Sequence, residues 1–481
     1  MKIIIIGAGF TGALLTKALI EERNSVVLID QNPERARSAA DQFDCTVVEA
    51  DGSNLEILEK AGISSADALV TLTGDDETNM LISSMVDVLY PNVMKISRVR
   101  DYDRYMRTIK VLRRASTRSC ENASRPIFGI DHIVNPDVEA ATSIMRAMEI
   151  GAVGTSIEIG DGYAMVELPV GEKSPIAGLD LKTVASLEGW SYLVAYIESG
   201  SETFVPNGES VLKPGDRIGV LIQKENVERV LDFTGISSTS FNKVAIFGAD
   251  NISALTVASQ MDDSKEFWYT LMSFGRSKKR TLTVIDRDIR RCQELAQKFP
   301  KARILNGDIT DDGLLQNEGV CESDLMVAAS GNYERNLMIS AYMKLKGVSK
   351  VIALTSDSAF DEIAEKLGVD VTVPMRDVVI DAIISHLRGR NVKSVHSVAE
   401  RKFEIVSFEV AENSKVAGKC LKDISDLEGA LVLLVKDPLS HSSEIPKGST
   451  VLSPGAQVVV IMPSGNGRIT KMFTGRNEGL S

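Results

Sequence analysis

The sequence is poor in the features that mark membrane, secreted and metal-dependent proteins. Its 481 residues hold no run near the ~20 apolar residues of a membrane span; stretches such as Ala430–Val435 are strand-sized. The apolar start Lys2–Ile6 stops at Gly7-Ala8-Gly9, too soon for a secretory leader and without a cleavage pattern, which predicts a cytoplasmic chain. Cysteine is scarce. Cys45, Cys120, Cys292, Cys321 and Cys420 are odd in number and stand at neither metal nor redox spacing, the usage of a reducing compartment. The four histidines, His132, His386, His396 and His441, are scattered, so no ligand cluster points to a metal. A basic excess is missing too: the formal net charge is −12, which argues against nucleic acid as a partner and offers no attraction to anionic lipid.

What is present is apolar material for packed cores, 44% of residues against 25% charged. The chain is also too long for one ordinary domain. It is written twice. Lys2–Ala8 returns as Lys243–Ala249, Val27–Asp30 as Thr283–Asp286, and Thr73-Gly74 with Asn79 as Ser330-Gly331 with Asn336. Gly178, Leu181 and Gly189 return as Gly418, Leu421 and Gly429, and Pro206, Gly208 and Pro214-Gly215 as Pro446, Gly448 and Pro454-Gly455. Phe233-Thr234-Gly235 and Phe473-Thr474-Gly475 close the two halves. The offset widens between the first two strands of the second copy, which places an insertion in Asp262–Arg280. Such a loop lengthens at little cost.

Each half divides again. Apolar runs at Ile3–Ile6, Val26–Ile29, Thr46–Val48, Leu69–Leu72 and Met94–Val99 alternate with helical patterns. This spacing predicts βαβ units and an α/β, Rossmann-like doubly wound parallel sheet. Asn32-Pro33-Glu34 predicts a helix start. From about Gly154 the pattern changes to short strands, Ile157–Ile159, Ala164–Leu168, Tyr192–Ile197 and Ile218–Ile222, punctuated by glycine and proline. A small α+β module fits. The expected domains are 1–138, 139–236, 237–380 and 381–481.

Gly7-Ala8-Gly9-Phe10-Thr11-Gly12 follows a predicted strand and opens a predicted helix. In that setting the glycines permit a tight turn, close approach to a pyrophosphate and close helix–strand packing, with free N–H groups facing the anion. Asp30 ends the second strand, eighteen residues past Gly12, where a carboxylate accepts bonds from ribose hydroxyls. Its charge disfavours a 2′-phosphate, so NAD(H) is expected over NADP(H). Asp51 either reaches an adenine edge or caps the next helix. Thr73-Gly74-Asp75-Asp76 either lines the ligand crevice or caps a helix. Arg98 and Arg100 share one face of the fifth strand, as phosphate partners or as a solvated surface. In the second copy, Asp250 stands for Gly9 and Ser253 for Gly12. Aligning Lys95 with Lys350 sets Ala353 and Thr355 against Arg98 and Arg100. One competent site and one degenerate copy are expected.

With Gly7–Gly12, Asp30, Ala50-Asp51-Gly52, Asp75–Asn79, Lys95–Arg100 and Asp131–Pro136, the whole chain resembles the TrkA family. Its members are built from two regulator-of-potassium-conductance (RCK) units, each a Rossmann-like N-lobe and a small C-lobe. The resemblance implies a cytoplasmic ring, a tetramer, beneath a TrkH-type potassium-translocating membrane subunit. It implies that NAD(H), or ATP and ADP, bind the N-lobe and bias transport, with contacts at Gly7, Gly9, Gly12, Asp30, Asp51, Thr73, Arg98 and Arg100. Two rivals stand beside it. An NAD-dependent dehydrogenase needs an acid/base against the nicotinamide, yet Gly154–Phe233 contains no histidine or cysteine. A regulator of a different cation transporter fits the same residues. The expectation is a regulator and not an enzyme.

Overall fold

The computed structural model describes residues 1–101, 127–150, 156–160, 162–172, 174–187, 191–200, 202–226, 229–230, 241–260, 280–387, 392–399, 402–424, 427, 429–438, 443–464 and 466–474. Cys120, Gly154, Gly189, Phe233–Gly235, His441, Gly475 and all of the Asp262–Arg280 insertion except Arg280 lie outside them.

The first half opens with β1 (Lys2–Ile6), α1 (Phe10–Glu21), β2 (Ser25–Asp30), α2 (Pro33–Gln42), β3 (Thr46–Glu49), α3 (Leu55–Lys60), β4 (Ala68–Thr71), α4 (Asp76–Leu89) and β5 (Met94–Arg98). A sixth strand, β6 (His132–Val134), was not expected from its three residues; it pairs along β5 and leads into α5 (Pro136–Ile150). The strands are all parallel in the order β3-β2-β1-β4-β5-β6, the doubly wound arrangement predicted. Alternation along β1 sends Ile3 and Ile5 to one face and Ile4 and Ile6 to the other, and both faces are covered. That is why the strand reads as a continuous apolar run. Asn32 caps α2 through its side chain with Pro33 at the first turn, as predicted.

The first small module contains β7 (Ser156–Gly160), β8 (Tyr163–Pro169), α6 (Leu181–Leu187), β9 (Tyr192–Ser199), β10 (Glu202–Phe204) and β11 (Arg217–Gln223), a sheet ordered β10-β9-β11-β8-β7. The second half repeats the plan: β12 (Lys243–Phe247), α7 (Asn251–Gln260), β13 (Thr281–Asp286), α8 (Ile289–Lys298), β14 (Arg303–Asn306), α9 (Asp312–Asn317), β15 (Leu325–Ala328), α10 (Tyr333–Leu345), β16 (Lys350–Thr355), α11 (Asp361–Lys366), β17 (Val371–Pro374) and α12 (Met375–Leu387). β18 (Val392–Val398), β19 (Phe403–Glu409), β20 (Leu431–Lys436), β21 (Gln457–Pro463) and α13 (Gly467–Thr474) form the second small module.

The halves exchange a helix. α12 covers the first parallel sheet: Val379, Ile380, Ile383, Ile384 and Leu387 share a core with Ile3, Ile5, Leu15, Leu28 and Val70. In return Ala140, Ala141, Ile144, Ala147 and Met148 of α5 pack on Val244, Ile246, Ile252 and Val284 of the second. Each valine, isoleucine, leucine or methionine among them contributes about 1.5–3 kcal/mol on burial, the alanines less, so neither sheet has its full core without the other half. The small sheets also meet face to face, Tyr163, Met165, Tyr196 and Leu221 against Phe403, Ile405, Leu433 and Ile461. No helix among the described residues is long and apolar enough to cross a membrane.

Candidate functional site

The glycine-rich loop divides its work among three positions. Gly7 has φ +108°, and a Cβ there would lie 2.9 Å from the Leu72 carbonyl oxygen. Only glycine takes that turn without strain. At Gly12 a Cβ would sit 1.9 Å from the Gly7 carbonyl oxygen, so α1 packs directly on its own loop. Gly9 differs: φ is −65°, and a Cβ would meet nothing within 4 Å. The missing side chain there leaves open cleft instead of relieving a clash.

Asp30 is buried at the end of β2 and braces this loop. One carboxylate oxygen accepts from the Ala8 N–H at 2.6 Å and the other from the Asn32 N–H at 2.8 Å. Asp286 repeats both bonds with Ala249 and Asp288. The acid's persistence in both halves therefore has a structural cause, and in the first half Asp30 also lines the cleft. Asp51 does not cap α3; Asn54 does, accepting from the Glu56 N–H. Asp51 instead turns the loop after β3 by accepting from the Ser53 N–H and hydroxyl at 2.9 and 2.8 Å. Asp75 caps α4 through the Thr78 N–H. The Thr73 hydroxyl donates to Asn79 Oδ1 at 2.7 Å, and the buried Asn79 amide donates to the Arg98 carbonyl at 2.9 Å, tying the ends of β4 and β5 together.

Arg98 points inward and donates to the Thr73 carbonyl. Among the described residues no carboxylate reaches salt-bridge distance of Arg98 or Arg100. Burial, followed by repulsion from Arg100, pulls the Arg98 guanidinium down to about 10. Its Nε is buried with no partner. A desolvated guanidinium on which Asp76 acts only from beyond salt-bridge distance is a place for an anion. Asn135, part of the Asp131–Pro136 stretch that carries the family resemblance, fixes this edge: its amide donates to the Val99 and Arg100 carbonyls while its oxygen accepts from the Val138 N–H at the start of α5.

Gly7, Gly9, Phe10, Thr11, Gly12, Asp30, Asp51, Thr73, Arg98 and Arg100 all line one cleft of about 880 Å³, beyond the carboxyl ends of the strands. Sequence reasoning missed Gln31 and Arg35, beside the acid, and above all the wall supplied by the other half: Tyr333, Met375, Arg376 and Val379. No local pattern marks these four, because they reach the cleft only through the docking of the halves, Tyr333 from the start of α10 and the other three from α12.

The second copy keeps the turn, with Gly248 at φ +103°, but not the opening. Asp250 occupies the Gly9 position and is pushed up to about 6, mainly by burial and further by Asp137. Ser253 is fully buried with its hydroxyl unpartnered. The strand register corrects one alignment. Ala68 pairs with Met94 and Leu325 with Lys350, so Lys350 matches Met94, not Lys95. Leu354 and Ser356 therefore replace Arg98 and Arg100, and the Asn336 amide donates to the Leu354 carbonyl as Asn79 does to that of Arg98. Neither substitute is cationic.

The chain matches the TrkA-N domain at residues 3–136 and 270–374 and the TrkA-C domain at 165–235 and 405–473. It is 26% identical over 475 residues to Trk system potassium uptake protein TrkA homolog 1 of Methanosarcina mazei, covering 98% of this chain and all of that one. It is 25% identical over 463 residues to the TrkA of Azorhizobium caulinodans, covering 96% and 95% of the two chains. The fold is shared with a GsuK channel solved bound to NAD, at a TM-score of 0.55 and 15% identity over 99% of this chain and 79% of that one. With both domain types present twice, in the order the repeat dictates, the chain belongs to the TrkA family.

Proposed function

We propose that this chain is the cytoplasmic, nucleotide-sensing regulatory subunit of a Trk-type potassium-uptake system. It binds NAD(H), or ATP and ADP, in the first cleft and gates a TrkH-type membrane subunit by changing shape. One observation carries the reading: the open Gly9 position, Asp30, and Arg98 and Arg100, which hold no salt bridge among the described residues, converge on a single cleft in a chain of the TrkA family. The loop and the N-terminus of α1 suit a pyrophosphate, Asp30 and Asp51 suit ribose and adenine, and the arginines suit further phosphate charge. Regulation follows from differential binding: a ligand that contacts both the first sheet and α12 favours the arrangement in which both are in reach. Coupling of this kind is typically ~1–3 kcal/mol.

The proposed assembly is a homotetrameric ring on the inner face of the membrane, working by position and not by turnover. The relatives' names supply the potassium-uptake setting. Deleting the gene should impair growth at low external potassium, and the purified chain should bring down an integral membrane subunit. NADH should bind without being oxidised in the presence of carbonyl substrates. Robust substrate-dependent NADH consumption would overturn the regulatory reading, and normal potassium uptake in the deletion strain would redirect it to another transporter.

A further inference from the structure

The wall of the cleft built by the second unit carries a cation in a defined place. Arg376, the second residue of α12, has its guanidinium carbon 4.4 Å from the centre of the Phe10 ring, and Phe10 follows Gly9 at the start of α1. That is the loop side of the cleft, where the motif seats a pyrophosphate, while Asp30 marks the ribose side. The guanidinium is paired with Asp357 at 2.5 Å. Asp357 does not depend on that pairing. Its carboxylate also accepts from the Ser356 hydroxyl at 3.0 Å and the Ala359 N–H at 3.2 Å, so it stays hydrogen-bonded if the arginine turns away.

The repeat contains its own control. Strand register makes Asp137 the counterpart of Arg376 and Asn251 that of Phe10. The same contact recurs there, as a hydrogen bond from the Asn251 amide to Asp137 at 3.3 Å. In the first cleft, then, an open glycine faces an arginine across the halves. In the second, Asp250 stands at the glycine position and Asp137 at the arginine position. Asp137 lines the first cleft as well and feels the charge of Arg100, so the change confined to the second copy is the one from Gly9 to Asp250. α12 also continues past Arg376: Val379 lines the cleft, and Ile383, Ile384 and Leu387 share one core with Val406, Phe408 and Val458 of the second small sheet.

We propose that Arg376 reads the distal phosphates of an adenine nucleotide seated in the first unit's cleft, exchanging Asp357 for a phosphate oxygen, so that the second unit reports ligand charge to its own C-lobe. The inference rests on the nucleotide reading of the cleft. The full-length chain, R376Q and D357N are each titrated calorimetrically with ATP, ADP and NADH. R376Q should weaken ATP about tenfold or more, by loss of a charge-assisted bond, and NADH by less. D357N should shift the ATP-to-NADH affinity ratio the opposite way, because it removes the competing carboxylate. A purely structural ion pair predicts lower melting temperatures for both variants with that ratio unchanged. That result, or R376Q affinities within about twofold of the parent for all three ligands, overturns the role of Arg376 alone. If the parent chain binds none of the three, the nucleotide reading itself fails and this inference with it.

Discussion

Replacing Gly9 by aspartate separates binding from folding more cleanly than any other change in the cleft. The backbone at Gly9 is in a region open to every residue, and a Cβ there meets nothing within 4 Å. The second copy already carries Asp250 in this position on the same fold. Unliganded stability should therefore stay within about 0.5 kcal/mol of the parent. Binding should not survive. A carboxylate ~4 Å from one pyrophosphate charge costs about 4 kcal/mol at an effective dielectric near 20. Allowing for solvent access, a loss of roughly 100- to 1,000-fold follows. The new acid would also pair with the arginines of the cleft and compete with the ligand for them. Calorimetry gives the affinities, and thermal denaturation gives an independent check. Nucleotide at 100 times Kd stabilises the parent by about 2.7 kcal/mol, and G9D should melt like the unliganded parent with that gain gone. G12A is the contrasting variant, since its Cβ would collide with the Gly7 carbonyl at 1.9 Å. It should lose about 1–3 kcal/mol of stability. If G9D binds NADH and ATP within about tenfold of the parent, Gly9 does not face the ligand and the site is misassigned.

Two further outcomes test separate parts of the structure. Alanine at both Arg98 and Arg100 should weaken ATP more than NADH, since ATP carries more negative charge; equal losses in titration would leave Arg98 a structural role at the Thr73 carbonyl and Arg100 a surface one. His386 on α12 stacks on His132 of β6 at 4.1 Å, and burial, then its neighbour, pulls it down to about 4. The unfolded chain binds the proton more readily, so stability is full above pH ~6.5 and falls as pH drops toward 4, by about 1–2 kcal/mol after allowance for partial exposure. H386F should flatten this acid limb in urea denaturation followed against pH, and an unchanged limb would exclude the stack as its source.

The legible parts of the molecule were those decided within a few tens of residues. The parallel strands announce themselves because both faces of the sheet are covered, and the glycine loop because a left-handed φ and a 1.9 Å clearance admit no other residue. What the loop glycines reveal, Asp30 partly conceals. Its position was readable, but its bonds to Ala8 and Asn32, which hold the loop whether or not a ligand binds, were not. Asp51 was read as a ligand group or a helix cap and proves to make a side-chain turn with Ser53 while lining the cleft. The strand β6 is too short to show a period, and the one-residue misalignment at Lys350 arose because two lysines match by chance where only hydrogen-bond register decides. Tyr333 and Arg376 were out of reach for a different reason: they lie more than two hundred residues from the loop they face.

That exchange of helices also governs how the protein can be made. A ribosome releases the chain from its N-terminus, at ~5–20 residues per second. β1 to β6 are complete once Val134 emerges, and α1 and α2 already cover part of one face, yet the helix that completes that cover begins only at Met375. For roughly 240 residues, on the order of ten to fifty seconds, Ile3, Ile5, Leu28 and Val70 wait without α12, exposed to whatever apolar surface comes near. α5 waits in the same way for a sheet not yet synthesised. Cutting this gene into separately expressed halves would leave each product with a part-covered sheet and a stranded helix. The two halves should become soluble only when translated together, and a nascent chain stalled near residue 240 is the form on which chaperones should be found.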